Sequence, residues 1–409
     1  MPLQWDQMRL ALCFLLCSIP PLRALDPLVG QSFDHFYNLE YDEALAGFRK
    51  AAAAQPDSPD RYNHIAQTIL YREMFRSGAL ESELVTGANP FLRRPKMNPS
   101  PADQEAFDDA VNKAIALAGK LLAADPKALH ALYAQGVAYG LRANYNFLVR
   151  KAWMDALRDA TQARKLHNRV TELDPSFIDA RLVQGVHDYV VGSLPFAYKL
   201  LGFLVGFRGD REKGMQTLRL VSEKGDKNKL DAQVLLAAIY RRERRPKDAL
   251  PLVESLAARF PRNYLFQFEI SQMHSDLGNK REALAALQRV EELKKAGSPG
   301  YSRLHYEKIY FSRGTIYFWY GDLDEAVRDF RRVVARSEEL DLSTGVMAWL
   351  RLGQIHDLKG QRPEAVEAYR KAIALAPESE AAKESRRYIS APYKRNASAA
   401  SLRALAPGA

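Results

Sequence analysis

The most constraining feature of the chain is a helix–turn–helix pattern at residues 346–377. Its first half places large side chains on one helical face beside the small residue Gly353, and its second half places Ala365 on the opposing face. Small residues at two facing points allow a pair of helices to approach closely, and large residues around them fill the remaining space. Gly360 marks the turn between the halves, and Pro377 ends the pattern.

This spacing resembles the tetratricopeptide repeat, a motif of about 34 residues that forms a helix A and a helix B. The motif has large residues at positions 4, 7, 11 and 24, small residues at positions 8 and 20, and proline at position 32. The chain departs from it at position 11, where His356 replaces an aromatic residue. The resemblance implies a scaffold, because this motif builds binding surfaces rather than active sites.

Seven further segments towards the N-terminus fit the same frame. They start near residues 25, 59, 129, 178, 230, 264 and 307. An array in which each unit packs only on its neighbours can reach 409 residues without a single large core. The sequence therefore predicts an all-α fold, a right-handed superhelical solenoid of about eight helix–turn–helix units with insertions and a C-terminal capping helix.

The predicted organisation follows from this frame and from the segments that interrupt it. It comprises a signal peptide at 1–24, units 1–2 at 25–128 with a loop insertion at 78–102, units 3–4 at 129–229 with lengthened helices and an apolar insertion at 193–209, units 5–8 at 230–377, a capping helix at 378–390 and a disordered tail at 391–409. Insertions of this length in such an array are expected at its surface.

The first 24 residues have the pattern of a secretory signal peptide. Arg9 precedes an apolar run too short to span a bilayer, and Ala24 is a suitable cleavage residue. Cleavage there would remove both cysteines, two arginines and one aspartate, and would lower the net charge from +10 to +9. We expect a bacterial periplasmic protein without lipid anchoring, since neither cysteine follows a lipoprotein consensus. A retained N-terminal helix or a misplaced start codon is the alternative.

The middle of the chain carries a second resemblance. An apolar stretch followed by a Gly-Phe-x-Gly-Asp-Arg motif is similar to a segment of the tetratricopeptide repeat protein 39 family. The residues that carry this likeness are Ser193, Leu194, Pro195, Gly206, Phe207, Gly209, Asp210 and Arg211. The resemblance implies helical scaffolding at a membrane surface and no catalytic residues.

No pattern of catalytic or cofactor-binding residues is found. The chain has no phosphate-binding glycine loop, no zinc-protease helix motif and no nucleophile elbow. Its eight histidines are scattered, and His35, His274 and His356 fall on position 11 of their units, where packing explains them. We therefore expect no enzyme activity, no cofactor and no metal. An enzyme with its site in the insertions is the least favoured alternative.

The concave groove of such an array is lined by positions 2, 5, 9, 12 and 13 of each helix A. In the last three units the predicted groove residues are Phe268, Gln272, Phe311, Thr315, Phe318, Trp319, Leu350 and Gln354. Aromatic side chains offer large contact areas and amides satisfy a peptide backbone, so a peptide or protein partner is expected rather than nucleic acid. The alternative is that several of these side chains pack between units.

The apolar insertion offers a second candidate surface. Residues 194–207 contain one charged residue, Lys199, and are too few for a membrane span. The side chains that would dock on a membrane or partner are Leu194, Leu200, Leu201, Phe203, Leu204 and Phe207. The alternative is that the insertion packs against units 3 and 4. The predicted function is thus a protein-binding scaffold of the bacterial envelope, or alternatively a membrane-surface adaptor.

Overall fold

The computed structural model describes residues 26–80, 97–193, 209–337 and 342–395, without the side chains of residues 342 and 343. These ranges contain seventeen α-helices and no β-strand. The helices are α1 Pro27–Tyr37, α2 Tyr41–Ala54, α3 Pro59–Arg76, α4 Pro101–Ala124, α5 Leu129–Tyr145, α6 Trp153–Leu173, α7 Arg181–Gly192, α8 Arg211–Lys224, α9 Lys229–Arg242, α10 Pro246–Arg259, α11 Tyr264–Asp276, α12 Lys280–Lys295, α13 Tyr306–Tyr320, α14 Leu323–Val334, α15 Leu342–Leu358, α16 Arg362–Leu375 and α17 Glu380–Ser390.

The helices pack in the order of the chain. Each odd-numbered helix from α1 to α15 packs on the helix that follows it, and each pair packs on the next pair. The last helix, α17, lies against both α15 and α16 and so covers the end of the array. The prediction of an all-α array of about eight helical units with a C-terminal capping helix is confirmed.

The close approach within each pair depends on the small residues of the motif. A β-carbon added to Gly353 on α15 would stand 2.4 Å from the Tyr369 ring on α16. The equivalent contact in the preceding pair joins Gly314 to the Phe330 ring at 3.2 Å. Tyr369 and Phe330 are fully buried. The large residue at position 24 therefore fills the space that the small residue at position 8 leaves free.

Unit 3 has two long helices joined by an irregular turn. Its helices α5 and α6 have 17 and 21 residues, and a π-helical turn, Asn146–Arg150, connects them with Lys151 in the left-handed conformation. The buried Asp159 carboxylate accepts two hydrogen bonds from Arg142, at 2.9 and 2.8 Å, and one from Asn146 at 3.1 Å. This charge-assisted network holds the extended ends of the two helices together.

Unit 1 contacts the junction between units 5 and 6, which the sequence did not predict. In the turn between α10 and α11, Arg262 donates from Nε to Glu40 Oε1 at 2.7 Å and from a terminal nitrogen to Asp34 at 2.8 Å. Burial alone would raise the pKa of the Glu40 carboxyl, but the hydrogen bonds from Arg262 and His35 outweigh it and lower that pKa.

The same junction is also packed by aromatic rings and backbone bonds. Asn263 Nδ2 donates to the Tyr37 carbonyl at 2.8 Å in a buried position. The Tyr37 ring stacks on the Phe260 ring with centroids 5.0 Å apart. Phe260 is 3% exposed and belongs to the hydrophobic core of units 1 and 2. We call this contact between unit 1 and the unit 5–6 junction the closure.

A strained residue lies inside the closure. Leu39 occupies position 15 of unit 1 with φ 65°, where units 7 and 8 have Gly321 and Gly360. A non-glycine residue in this conformation costs about 1–2 kcal/mol. The Leu39 side chain packs against both the core of units 1 and 2 and the core around Tyr264. Contact across the closure therefore offsets the local strain.

The described residues on the two sides of the apolar insertion lie against each other. A β-carbon on Gly209 would lie 2.8 Å from the Gly192 nitrogen, and one on Gly192 would lie 2.3 Å from the Arg211 nitrogen. The Asp210 carboxylate caps α8 by accepting from the Lys213 amide at 2.9 Å. The Gly-Asp-Arg part of the motif therefore begins α8 and allows the backbone before α8 to contact the backbone at the end of α7.

Across the part of the chain that the structure describes, no helix combines the length and the apolar character that a membrane crossing requires.

Candidate functional site

The concave side chains of units 1, 2 and 5 bind one another. The Tyr37 hydroxyl on α1 donates to Asp231 Oδ1 on α9 at 2.7 Å. Asn63 on α3 donates to the Ala134 carbonyl on α5 of unit 3 at 2.8 Å, in a buried position. Burial raises the pKa of the Asp231 carboxyl, although the hydrogen bonds from Tyr37 and Gln67 act in the opposite direction.

Charged groups extend this internal contact to unit 3. Asp60, at the start of α3, lies 3.0 Å from His130 Nε2 and accepts from Lys227 Nζ at 3.1 Å. Burial alone would raise the pKa of Asp60, but these two partners lower it far below its usual range. Lys227 also lies 5.3 Å from the centre of the Tyr133 ring. Groove positions of units 1, 2, 3 and 5 are therefore engaged inside the molecule, whereas Val190, at position 13 of unit 4, is 51% exposed. Units 6–8 hold the predicted groove residues and are the candidate surface.

Five of the eight predicted groove residues lie half-buried on α11 and α13: Phe268, Gln272, Phe311, Thr315 and Trp319. The Phe311 ring meets the Phe330 ring edge-on at 5.9 Å, and the Thr315 hydroxyl donates to the Phe311 carbonyl at 2.8 Å. Gln272 Nε2 donates to Asp276 at 2.8 Å. These side chains follow successive turns of two adjacent helices, and each keeps part of its surface accessible.

The other three predicted groove residues, Phe318, Leu350 and Gln354, are at most 1% exposed. Leu350 belongs to the core formed by α15, α16 and the capping helix, so the surface that another unit would cover is covered by α17. Phe318 is covered from the other side by residues that follow α17. These three side chains pack inside the molecule, as the alternative interpretation of the groove positions predicted. The apolar end of the array must be shielded from water.

Arg351 was not predicted as part of the groove, yet it lies between two of its aromatic residues. Its guanidinium carbon is 5.1 Å from the centre of the Phe318 ring and 5.3 Å from that of Trp319. It also donates to Gln354 Oε1 at 2.6 Å. Two cation–π contacts and this hydrogen bond fix the positive charge beside Trp319.

The chain folds back across this surface after the capping helix. The Tyr393 amide donates to Asp357 Oδ2 at 2.8 Å, and Arg395 donates to the Phe318 carbonyl. The sequence prediction of a disordered tail from residue 391 therefore differs from the structure at 391–395, and its remainder, 396–409, lies outside the described residues. Asp357 and Phe318 stand at position 12 of units 8 and 7, so these five residues lie on the concave side.

Asp357 organises this end of the array. Its side chain is 1% exposed and accepts from Arg362 at 2.7 Å and from the Tyr369 hydroxyl at 2.8 Å, besides the amide of Tyr393. Burial raises the pKa of Tyr369, and the hydrogen bond to the Asp357 carboxylate raises it further. One carboxylate thus joins α15, α16 and the segment after α17.

Two of the three histidines at position 11, His35 and His356, bridge the turns of their units. His35 Nδ1 lies 2.6 Å from Glu40 Oε2, and His356 Nδ1 lies 2.7 Å from Gln361 Oε1, five residues later in both cases. Among the described residues, no group of three or more His, Cys, Asp or Glu side chains is arranged to hold a metal ion.

The six residues predicted as a dock, Leu194, Leu200, Leu201, Phe203, Leu204 and Phe207, lie outside the described residues. The array beside them has a polar cleft of about 710 Å³, whose lining includes Ser193, Arg211 and Glu243. Arg211 pairs with Glu243 at 2.9 Å across it. This charged lining differs from the apolar surface predicted for the insertion.

Two parts of the chain match family models, both described as tetratricopeptide repeat. The matches cover residues 234–300 and 346–379. The chain contains tetratricopeptide repeats. Neither match includes the tetratricopeptide repeat protein 39-like segment at 193–211, so that resemblance stays a prediction. No curated protein matches the chain.

Three solved structures illustrate what the chain is similar to. The Cut9–Hcn1 hetero-tetramer of the APC/C is 13% identical with a TM-score of 0.49 over 94% of this chain, which spans 59% of the length of that one. PilW, a type IV pilus biogenesis factor, is 16% identical with a TM-score of 0.40 over 61% of this chain and 97% of its own. The human IFIT1 dimer with m7Gppp-AAAA is 14% identical with a TM-score of 0.44 over 88% of this chain and 83% of its own.

Proposed function

We propose that the protein is a non-enzymatic scaffold of the bacterial envelope that holds an extended or helical peptide of a protein partner. The concave face of units 6 and 7 would provide the contact. The observation that carries this proposal is that Phe268, Phe311 and Trp319 keep accessible surface. In contrast, Tyr37 of unit 1 and Asn63 of unit 2 are buried and donate hydrogen bonds to units 5 and 3.

The chemistry of this face suits a peptide better than a nucleic acid. Half-buried aromatic rings supply contact area, and the neighbouring amide and hydroxyl groups can satisfy a peptide backbone. The arginine run at 241–245 is engaged within the array: Arg241 pairs with Glu269 at 3.1 Å, and Arg245 pairs with Asp248 at 2.8 Å. These charges are partly neutralised before any phosphate could reach them.

A double substitution tests the groove. Phe311→Ala with Trp319→Ala should weaken partner capture from envelope extract at least tenfold, since aromatic anchors at interfaces are worth about 2 kcal/mol or more each. The melting temperature should change little, because both side chains are only half-buried. Captured proteins are identified by mass spectrometry and their affinity is then measured by titration.

The matched control is Trp153→Ala, which removes an aromatic side chain that is 41% exposed in unit 3, away from the groove. Capture should be unaffected by this change. Equal loss of capture by both variants contradicts the proposal. A large fall in the melting temperature of the double variant also contradicts it, because it assigns the two groove aromatics to the core.

The membrane-surface adaptor remains the second candidate because exposed apolar side chains lie at the start of α6. Met154 is 77% exposed and Leu157 is 45% exposed, beside the exposed Trp153. If the extract yields only lipid-associated material with wild type and variants alike, the adaptor function replaces the groove function.

A further inference from the structure

We propose that the concave end of units 7 and 8 is a binding seat for an extended segment with an aromatic residue followed, two positions later, by a basic one. The chain's own residues 391–395 occupy this seat until a partner segment of the same chemistry displaces them. The inference rests on the proposed function and adds to it the kind of peptide and a regulation of access.

The first element of the seat is a carboxylate that accepts a hydrogen bond from a backbone amide of the segment. Asp357 accepts the Tyr393 amide at 2.8 Å, while Arg362 and the Tyr369 hydroxyl fix its orientation. The Asp357 side chain is 1% exposed, so the bond is made in a nearly dry position. Any residue except proline could supply this amide, which makes the contact independent of side-chain identity.

The second element is an aromatic surface. The Tyr393 ring meets the Tyr388 ring edge-on at 5.2 Å and lies 6.3 Å from the Phe318 ring. Burial raises the pKa of the Tyr393 hydroxyl. An aromatic side chain at this place therefore covers Phe318, which is the most buried of the predicted groove aromatics.

The third element selects a positive charge. Arg395 donates to the Phe318 carbonyl, and its guanidinium carbon lies 5.2 Å from the centre of the Phe318 ring. That carbonyl is in the last turn of α13, where it also accepts from the Gly321 amide at 3.2 Å and where the helix end carries partial negative charge. A cation is the ligand that such a helix end favours.

The spacing of these contacts is that of an extended peptide. Tyr393 and Arg395 contact the array, while Lys394 between them is exposed, as are Ala391 and Pro392. Alternate side chains thus face the surface, as in strand-like peptide recognition. Few contacts hold the segment, and it competes mainly because its attachment gives it a high effective concentration.

A peptide binding assay tests the seat. The probe is a fluorescent peptide with the sequence of residues 390–396, titrated by anisotropy into the full chain. In Tyr393→Ala with Arg395→Ala the attached segment no longer competes, and the probe should bind at least tenfold more tightly than to wild type. Adding the probe should also raise the melting temperature of this double variant.

The matched control on the protein is Lys394→Ala, which should bind the probe as weakly as wild type does. On the peptide, alanine at the aromatic and second basic positions should abolish binding. Equal probe affinity for wild type and the double variant, or no binding to either, overturns the seat. Because groove capture is measured separately through Phe311 and Trp319, its survival in that case would leave the scaffold function intact.

Discussion

The concave faces of the two halves of the molecule differ although the same motif builds both. In units 1, 2 and 5 the side chains at groove positions bind one another, as Tyr37 binds Asp231. In units 6 and 7 most of the predicted groove residues stay half-buried, among them Phe268, Phe311 and Trp319. The difference arises from residues that the motif leaves free, and in particular from the contacts of Arg262 with Glu40 and Asp34.

One array can therefore have a concave surface that is buried by internal contacts and another that is accessible to partners. The closure fixes unit 1 on the unit 5–6 junction, whereas the described residues that cover the concave end of units 7 and 8 belong to the capping helix and to residues 391–395. The cover of the second half is small and local. A partner could therefore replace part of it without disturbing the first half.

The largest effect on stability is expected from Phe260→Ala, which removes a buried side chain of the closure. Phe260 is 3% exposed and stacks on Tyr37, and loss of a buried phenylalanine costs about 3–5 kcal/mol. Urea unfolding should show this loss, and the radius of gyration from small-angle scattering should rise because unit 1 separates from the unit 5–6 junction.

Phe311→Ala provides the control for that experiment, since it removes the same side chain from the half-buried groove. It should cost much less stability and leave the radius of gyration unchanged. Similar losses of unfolding free energy at Phe260 and Phe311 would show that the two side chains contribute equally to internal packing.

An intermediate effect on stability is expected when the pH is lowered. His167 on α6 is fully buried, and burial lowers its pKa from 6.5 to about 4. The unfolded chain therefore binds the proton first, and stability falls as the pH drops from about 6.5 towards 4. This residue alone should cost about 2–3 kcal/mol at pH 4.5 relative to pH 7.

His167→Leu should remove that part of the pH dependence. Urea unfolding at pH 7 and pH 4.5 measures it, and substitution of the exposed His305 should leave the dependence as in wild type. A wild-type acid loss that His167→Leu does not reduce would show that this histidine already takes up its proton in the folded protein.

The smallest and sharpest test uses position 15 of two units. Leu39 and Arg244 both have positive φ, 65° and 56°, but Leu39 packs in the closure and Arg244 is exposed. Arg244→Gly should stabilise by a few tenths to about 1 kcal/mol through relief of strain. Leu39→Gly should destabilise by about 1 kcal/mol, because lost packing exceeds the relief.

Opposite signs at these two equivalent positions would show that the closure, and not the turn itself, requires leucine. The same sign at both would mean that Leu39 contributes no contact energy. Thermal unfolding of the two single variants and of the double variant is sufficient to decide this.

The fold was predictable because its packing rule is local. Gly353 and Tyr369, like Gly314 and Phe330, meet within one unit, so their spacing alone indicates a helix pair. The closure was not predictable, since Arg262 and Glu40 are 222 residues apart and meet only through the accumulated geometry of the units between them.

The candidate site was predictable in part. Counting positions placed Phe268, Phe311 and Trp319 on the accessible helix faces, but it could not show what covers Phe318 and Leu350. Those covers come from the capping helix and from Arg395, a residue in a segment whose composition resembles a disordered tail. The signal in the sequence is the presence of charged residues near these aromatics, such as Arg351, whose guanidinium lies against Phe318 and Trp319.

The closure also changes how the chain should fold. An open repeat array unfolds nearly unit by unit, because each unit interacts only with its neighbours. Here unit 1 cannot gain its contacts with Asp231, Phe260 and Arg262 until the four units that follow it are in place. Units 1–5 should therefore form one cooperative block with a late, long-range step, whereas units 7 and 8 can fray from the C-terminal end independently.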